Sequence, residues 1–171
     1  LPFLPLAAKQ ILLNNFMSDI PSIAIPTDRV DADRIATPQR WNVRDVRRFM
    51  ISFGLISTVF DLLTFVLLLR VFDASEPVFQ TAWFVVSLLT ELAVVLVLRT
   101  RGPMWASAPS PWLLGASVAL AAAALAVPFI APMRALFGFV VMPASLMFAL
   151  VGVVLAYVVC TEVAKRHLGA M

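Results

Sequence analysis

The stretch TAWFVVSLLTELAVVLVL, residues 81–98, decides the fold. It carries one charged side chain, Glu91, and neither glycine nor proline interrupts it. At about 1.5 Å of rise per residue, a helix of roughly 20 apolar residues crosses about 30 Å of hydrocarbon. Three further windows have this character: 50–72, 112–132 and 142–164. The composition of the 171-residue chain agrees, with 61% hydrophobic residues, 13% charged residues and a mean hydropathy of +0.95. Soluble domains carry roughly 25% charged residues. The expected fold class is therefore all-α, a polytopic membrane helix bundle of about five transmembrane helices plus the end of a sixth.

The first segment differs from the other four. Pro2, Pro5, Pro21 and Pro26 punctuate it, and Lys9, Gln10, Asn14, Asn15 and Asp19 interrupt its hydrophobicity. Residues 1–26 read as the end of one helix, an outer turn near Pro5, and a second helix over about 7–25. Pro21 removes a backbone donor, so this helix is expected to be kinked or locally unwound near Asp19. Residues 27–49 read as a solvated loop with four acids and six arginines, amphipathic from Trp41 to Phe49. Residues 50–171 then supply four further spans joined by short connections, one of them the Pro-rich turn 99–111.

Ten of the 13 basic residues lie in 27–49, 99–111 and the C-terminal end, while Lys9, Arg70 and Arg134 lie on the opposite side. The positive-inside rule places the basic connections and the C-terminus in the cytoplasm, with the chain integral to the plasma (inner) membrane. The net charge of +3 is no nucleic-acid signal, because too few polar residues remain to build a basic solvated face. The single cysteine, Cys160, excludes a disulfide framework or a cysteine-based zinc site, and one histidine, His167, leaves little for histidine catalysis. The chain opens on Leu1 without a basic n-region, so its start is no signal peptide and the chain reads as the C-terminal piece of something longer.

Three acids fall inside the apolar segments. Asp19, Asp61 and Glu91 lie nine, eleven and ten residues from Gln10, Met50 and Thr81, which puts each about 14–16 Å along its helix. All three belong near the bilayer midplane, where a charge costs about 2.5–3.5 kcal/mol even on lenient scales. Asn15 and Asp19 are spaced i, i+4 on one helical face, with Ser18 adjacent. An amide oxygen, a carboxylate and a hydroxyl are hard ligands suited to Mg²⁺ or Ca²⁺, and the wider candidate set adds Asp61 and Glu91. The competing readings are a polar pair that glues helices for Asn15 and Asp19, and a protonated or arginine-paired structural acid for Asp61. Asn14 reads as a packing or capping residue, and the Arg40–Arg48 cluster as a lipid-facing basic patch or a docking surface.

The run LPFLPL at 1–6, QILLNNFMSD at 10–19 and AIPTDRVD at 24–31 resembles P-type cation-transporting ATPases, specifically the end of their fifth helix, their sixth helix and the loop that follows. The likeness is greatest to the magnesium-transporting branch, and it continues through PQRW at 38–41, FDLLTF at 60–65, QTAWFVV at 80–86 and LRTR at 98–101. The resemblance implies that Asn15 and Asp19, with Ser18 at a further ligand-competent position, are cation ligands. It also implies that Asp28, Asp31, Asp33, Pro38 and Arg40 belong to a loop coupling the membrane site to a phosphorylated domain. Glu91 falls on the helix corresponding to the eighth, where some relatives carry a cation-binding acid and magnesium-pump relatives often carry an amide.

The family's Asp-Lys-Thr-Gly-Thr loop, nucleotide-binding domain, actuator loop and first four helices are absent from this sequence. The chain alone is therefore expected to hydrolyse no ATP. As the resemblance implies, its parent moves a divalent cation, Mg²⁺ foremost, using ATP and Mg²⁺ held by those other domains, and its partners are the lipid bilayer and the rest of the pump. Alternative readings are a non-catalytic membrane scaffold, a calcium or other cation pump of the same type, and a proton-coupled carrier using Asp19, Asp61 and Glu91 as a relay.

Overall fold

The computed structural model describes residues 2–28, 43–100, 103–105 and 107–169. Six α-helices carry the described chain: α1 Ala8–Ala24, α2 Val43–Val66, α3 Glu76–Leu98, α4 Pro111–Ala126, α5 Ala131–Phe137 and α6 Ala144–Gly169. The four spans Val46–Val71, Glu76–Leu98, Pro111–Phe129 and Ala144–His167 are long and apolar enough to cross a membrane. Helix α1, at 17 residues and more polar, is not among them.

Local sequence explains where these helices start and stop. Ser110 caps α4, its hydroxyl accepting from the Leu113 amide at 3.2 Å, and Pro111 fills the first helical position, where no donor is needed. Helix α2 widens into a π-helical turn over Leu67–Val71, closed by the Phe72 amide on the Leu67 carbonyl at 3.1 Å. The chain then reverses through Asp73, held at φ 44 in the left-handed region, before Pro77 opens α3.

The observed elements depart from the sequence reading in four places. Residues 2–7 run as extended and bent backbone and form no helix end. Helix α1 stays α-helical through Asp19 and Pro21 and is not unwound there: the proline removes one donor, and the surrounding i to i−4 bonds suffice to continue the helix. The loop after α1 ends earlier than 49, because Val43–Phe49 already form the first turns of α2, where no glycine or proline opposes helix propagation. Similarly, 133–141 is not a plain connection. Ala131–Phe137 make the two-turn α5, stopped by Gly138 at φ 76, a conformation that suits only glycine without strain.

Helix α3 is the axis of the bundle, packed by α1, α4 and α6, while α2 leans mainly on α6. Its span is 56% buried against 17% for that of α2. Phe79, Phe84, Val85 and Leu88 are sealed in its core. Phe65 of α2 meets this core with its ring 4.5 Å from Trp83 and 5.2 Å from Phe79, offset contacts that aromatic quadrupoles favour. The outer rows, such as Leu55, Val59 and Leu62 of α2 and Phe148, Leu155 and Val159 of α6, are apolar and exposed, as lipid-facing rows must be.

Polar contacts lock the bundle at both ends. At one end Lys9 Nζ donates to the Leu136 carbonyl at 2.6 Å and Gln10 Nε2 to the Phe137 carbonyl at 3.1 Å, satisfying orphan acceptors at the end of α5. At the other end Asp28 closes a junction of three elements. Its carboxylate accepts from the Arg99 guanidinium at 3.1 Å and from the Ser110 amide at 2.7 Å, and Thr27 shares a 3.1 Å hydrogen bond with the Ser110 hydroxyl. Beside it, Lys165 Nζ lies 2.8 Å from Glu162 Oε2 and donates to the Val97 carbonyl at 2.8 Å. Glu162 also accepts from the Met104 amide at 3.2 Å, and the Arg166 guanidinium stands 4.8 Å above the Trp105 ring.

The Glu162–Lys165 pair is buried, with both side chains about one-twentieth exposed. Lys165→Met removes the close, buried partner of Glu162 and leaves it only the more distant Arg166 guanidinium at 3.7 Å, and is expected to lower stability by about 3 kcal/mol. Arg166→Ala, at a side chain 47% exposed, is expected to cost about 1 kcal/mol or less. Thermal unfolding of the chain in detergent checks the order of the two.

Candidate functional site

Helices α1, α2, α3 and α6 surround an open cavity of about 480 Å³. Ser18, Asp19 and Ser22 line it from α1, where spacings of one and three residues put them on one side of the helix. Ser57 and Asp61, four apart, line it from α2, and Ser87, Thr90 and Glu91 from α3. Tyr157 of α6 closes the floor together with apolar residues of α3 such as Leu92 and Val95. The three acids expected at one depth thus border one cavity, on three different helices, and among the described residues no basic side chain lines it. All three are exposed to it rather than packed into the core.

The hydroxyls are held from behind. Thr90 donates to the Val86 and Ser87 carbonyls, both at 2.9 Å, and Ser18 to the Asn15 carbonyl at 3.1 Å. With its hydrogen used by helix carbonyls, the Thr90 oxygen presents lone pairs to the cavity, as a cation ligand must. Ser57 and Tyr157 share a 2.9 Å hydrogen bond across α2 and α6. Among the described residues, no three carboxylate, imidazole or thiol groups converge closely enough to hold a metal ion by themselves. The cavity is therefore a basin with separated carboxylates, and any cation in it keeps other ligands.

The structure exchanges the roles of two neighbouring asparagines. Asn15 is exposed and does not line the cavity, although it stays on the same face of α1 as Asp19. Asn14 is buried, and its Nδ2 donates to both oxygens of Glu91 at 3.3 Å. Its Oδ1 is enclosed without a hydrogen-bond partner. The signal that could have found this is the spacing of Gln10, Asn14, Met17 and Pro21, which at intervals of four, three and four make up the buried face of α1. That stripe carries two amides. The opposite face, with Ile11, Leu12, Phe16 and Ile23, is apolar and exposed.

Of the coupling-loop candidates, Asp28 is the junction residue at the end of α1 described above, and Asp31, Asp33, Pro38 and Arg40 lie outside the described residues.

A family model described as "Cation transporting ATPase, C-terminus" matches residues 3–167. The "Magnesium-transporting ATPase, P-type 1" of Escherichia coli (strain K12) is 38% identical over 170 residues, which cover 96% of this chain and 19% of the relative. Proteins of the same name from Salmonella typhimurium (strain LT2) are 36% identical over 170 residues and 33% identical over 171, again covering 19% of each relative. The chain thus spans about one fifth of the length of these curated relatives. With that match running through all four apolar spans and both ends of the cavity, the chain belongs to the C-terminal, membrane-integral family of P-type cation-transporting ATPases.

Proposed function

We propose that the chain is the ion-path end of an ATP-driven magnesium pump, and that its cavity receives the transported Mg²⁺. The observation that carries this reading is the placement of three carboxylates from three helices around one open cavity, with no basic side chain among the described residues that line it. Mg²⁺ demands six oxygen ligands, dehydrates reluctantly, and binds through one or two carboxylates while keeping several waters. Six waters occupy about 180 Å³ at roughly 30 Å³ each, which a cavity of about 480 Å³ accommodates. Separated carboxylates suit such a partly hydrated ion better than they suit a stripped one.

In this reading Asp19 and Ser18 supply the α1 side of the site, and Glu91 supplies the α3 side. Asn14 fixes the orientation of the Glu91 carboxylate through its two amide contacts. Asn15 stands one turn from Asp19 on the same face of α1, outside the cavity wall, and its amide oxygen joins the site only by a side-chain rotation toward Asp19. Asp61 faces the ion across the cavity and contributes charge. The magnesium-transporting relatives support the choice of ion.

The connection that follows α1 begins where Asp28 ties the end of α1 to the end of α3 and the start of α4. This makes Asp28 the residue through which a push on the loop reaches α1 and the cavity wall. ATP hydrolysis belongs to the parts of the pump outside this chain, and the transported ion crosses the plasma membrane with the C-terminus and the basic connections on the cytoplasmic side.

In the full-length pump, Asp19→Asn is expected to abolish Mg²⁺-stimulated ATP turnover while leaving membrane insertion intact. Normal stimulated turnover in that variant would refute the ligand assignment. Asn14→Ala is expected to raise the half-saturating Mg²⁺ concentration about tenfold, equivalent to roughly 1.4 kcal/mol for the lost hydrogen bond to a charged group. Asp28→Asn is expected to do the opposite: turnover measured at saturating Mg²⁺ falls, and the half-saturating concentration holds.

A further inference from the structure

Beyond the cation cavity, α2, α3 and α6 enclose a second and much smaller recess, of about 20 Å³. It shares Ser57, Asp61, Thr90 and Tyr157 with the larger cavity and extends past them to Thr64. Thr64 is 1% exposed and Tyr157 3%, so this branch runs into the buried interface of the three helices. A space of this size holds one water molecule, for which about 10–15 Å³ of this kind of volume is the minimum. It cannot hold a metal ion with any of its waters.

The hydrogen-bonding inventory around the recess is the one a water needs. Thr64 donates its only hydroxyl hydrogen to the Phe60 carbonyl at 2.8 Å, and Thr90 donates its hydrogen to the Val86 and Ser87 carbonyls. Both threonine oxygens therefore offer lone pairs and no hydrogen. The Asp61 carboxylate likewise only accepts when ionised. Ser57 and Tyr157 have two hydroxyl hydrogens between them and spend one on their mutual 2.9 Å bond, leaving one to give. The walls thus hold several acceptors and one spare donor, and a water, with two hydrogens to donate and two lone pairs, matches that imbalance. A polar recess of adequate size with two to four partners is the condition under which a buried water is retained.

We propose that this recess is a resident-water site, in which one ordered water donates to the Thr64 hydroxyl oxygen and to the Asp61 carboxylate and accepts the spare hydrogen of the Ser57–Tyr157 pair. The water makes a continuous hydrogen-bonded branch from Asp61 and Tyr157, in the wall of the cation cavity, to the buried hydroxyl of Thr64. It also gives Asp61 a fixed partner inside a span where no basic side chain among the described residues pairs with it, so that Tyr157 and Thr64 act as positioning residues for that carboxylate.

High-resolution electron cryo-microscopy of the full-length protein in lipid nanodiscs tests this directly. The expected result is a single ordered water peak in the recess of the wild-type protein, lost in Thr64→Val, which keeps the side-chain shape and removes the acceptor, and weakened in Tyr157→Phe. A dry or side-chain-filled recess in the wild-type map overturns the proposal, whether or not either variant folds. A peak that persists undiminished in both variants overturns it as well, because the water is then held by none of the partners named here.

Discussion

Hydrocarbon offers no hydrogen bonds, so a polar side chain carried into it must find its partner on another helix or in a cavity that keeps water beside it. Most of what is specific in this chain follows from that constraint. Glu91 finds the Asn14 amide, Gln10 finds the last carbonyls of α5, and Asp28 finds Arg99 and Ser110. Asp19 and Asp61, with no ion pair among the described residues, open onto the cavity. Apolar side chains, by contrast, lie equally well against lipid or against one another, so they fill the bundle without dictating which face of a helix turns inward.

That asymmetry governs what could be read from sequence. The four spans were legible because the length of a helix across a bilayer is fixed by its rise, and each window ran unbroken for about that length. The grouping of Asp19, Asp61 and Glu91 was legible for the same reason, since equal distances along neighbouring antiparallel helices bring side chains to one level. The structure gathers Asp28, Arg99, Ser110, Glu162 and Lys165 at one end.

The rotation of α1 about its own axis was not legible in the same way. The familiar rule that the apolar face turns inward points Ile11, Leu12 and Phe16 to the core, and in this bundle it is the amide-bearing stripe of Gln10, Asn14, Met17 and Pro21 that is buried. Asn14 and Asn15 differ by about 100° around the helix, and only the burial of Gln10 one turn earlier distinguishes them. Helix α5 was missed because seven residues carry too little periodicity to separate a short helix from a turn, and its existence rests on long-range bonds from Lys9 and Gln10, 127 positions away.

The two end locks leave α1 in the position of a string tied at both ends. Lys9 and Gln10 anchor its beginning to α5, and Thr27 and Asp28 anchor its finish to α3 and α4. A helix held in this way cannot slide like a piston or swing like a lever without breaking buried polar contacts. What remains open to it is to bow at mid-length. The backbone is softest there, because Pro21 gives no hydrogen to the Met17 carbonyl one turn earlier. The turn so released contains Ser18 and Asp19, so strain applied at either end would be felt first at the residues that face the cavity.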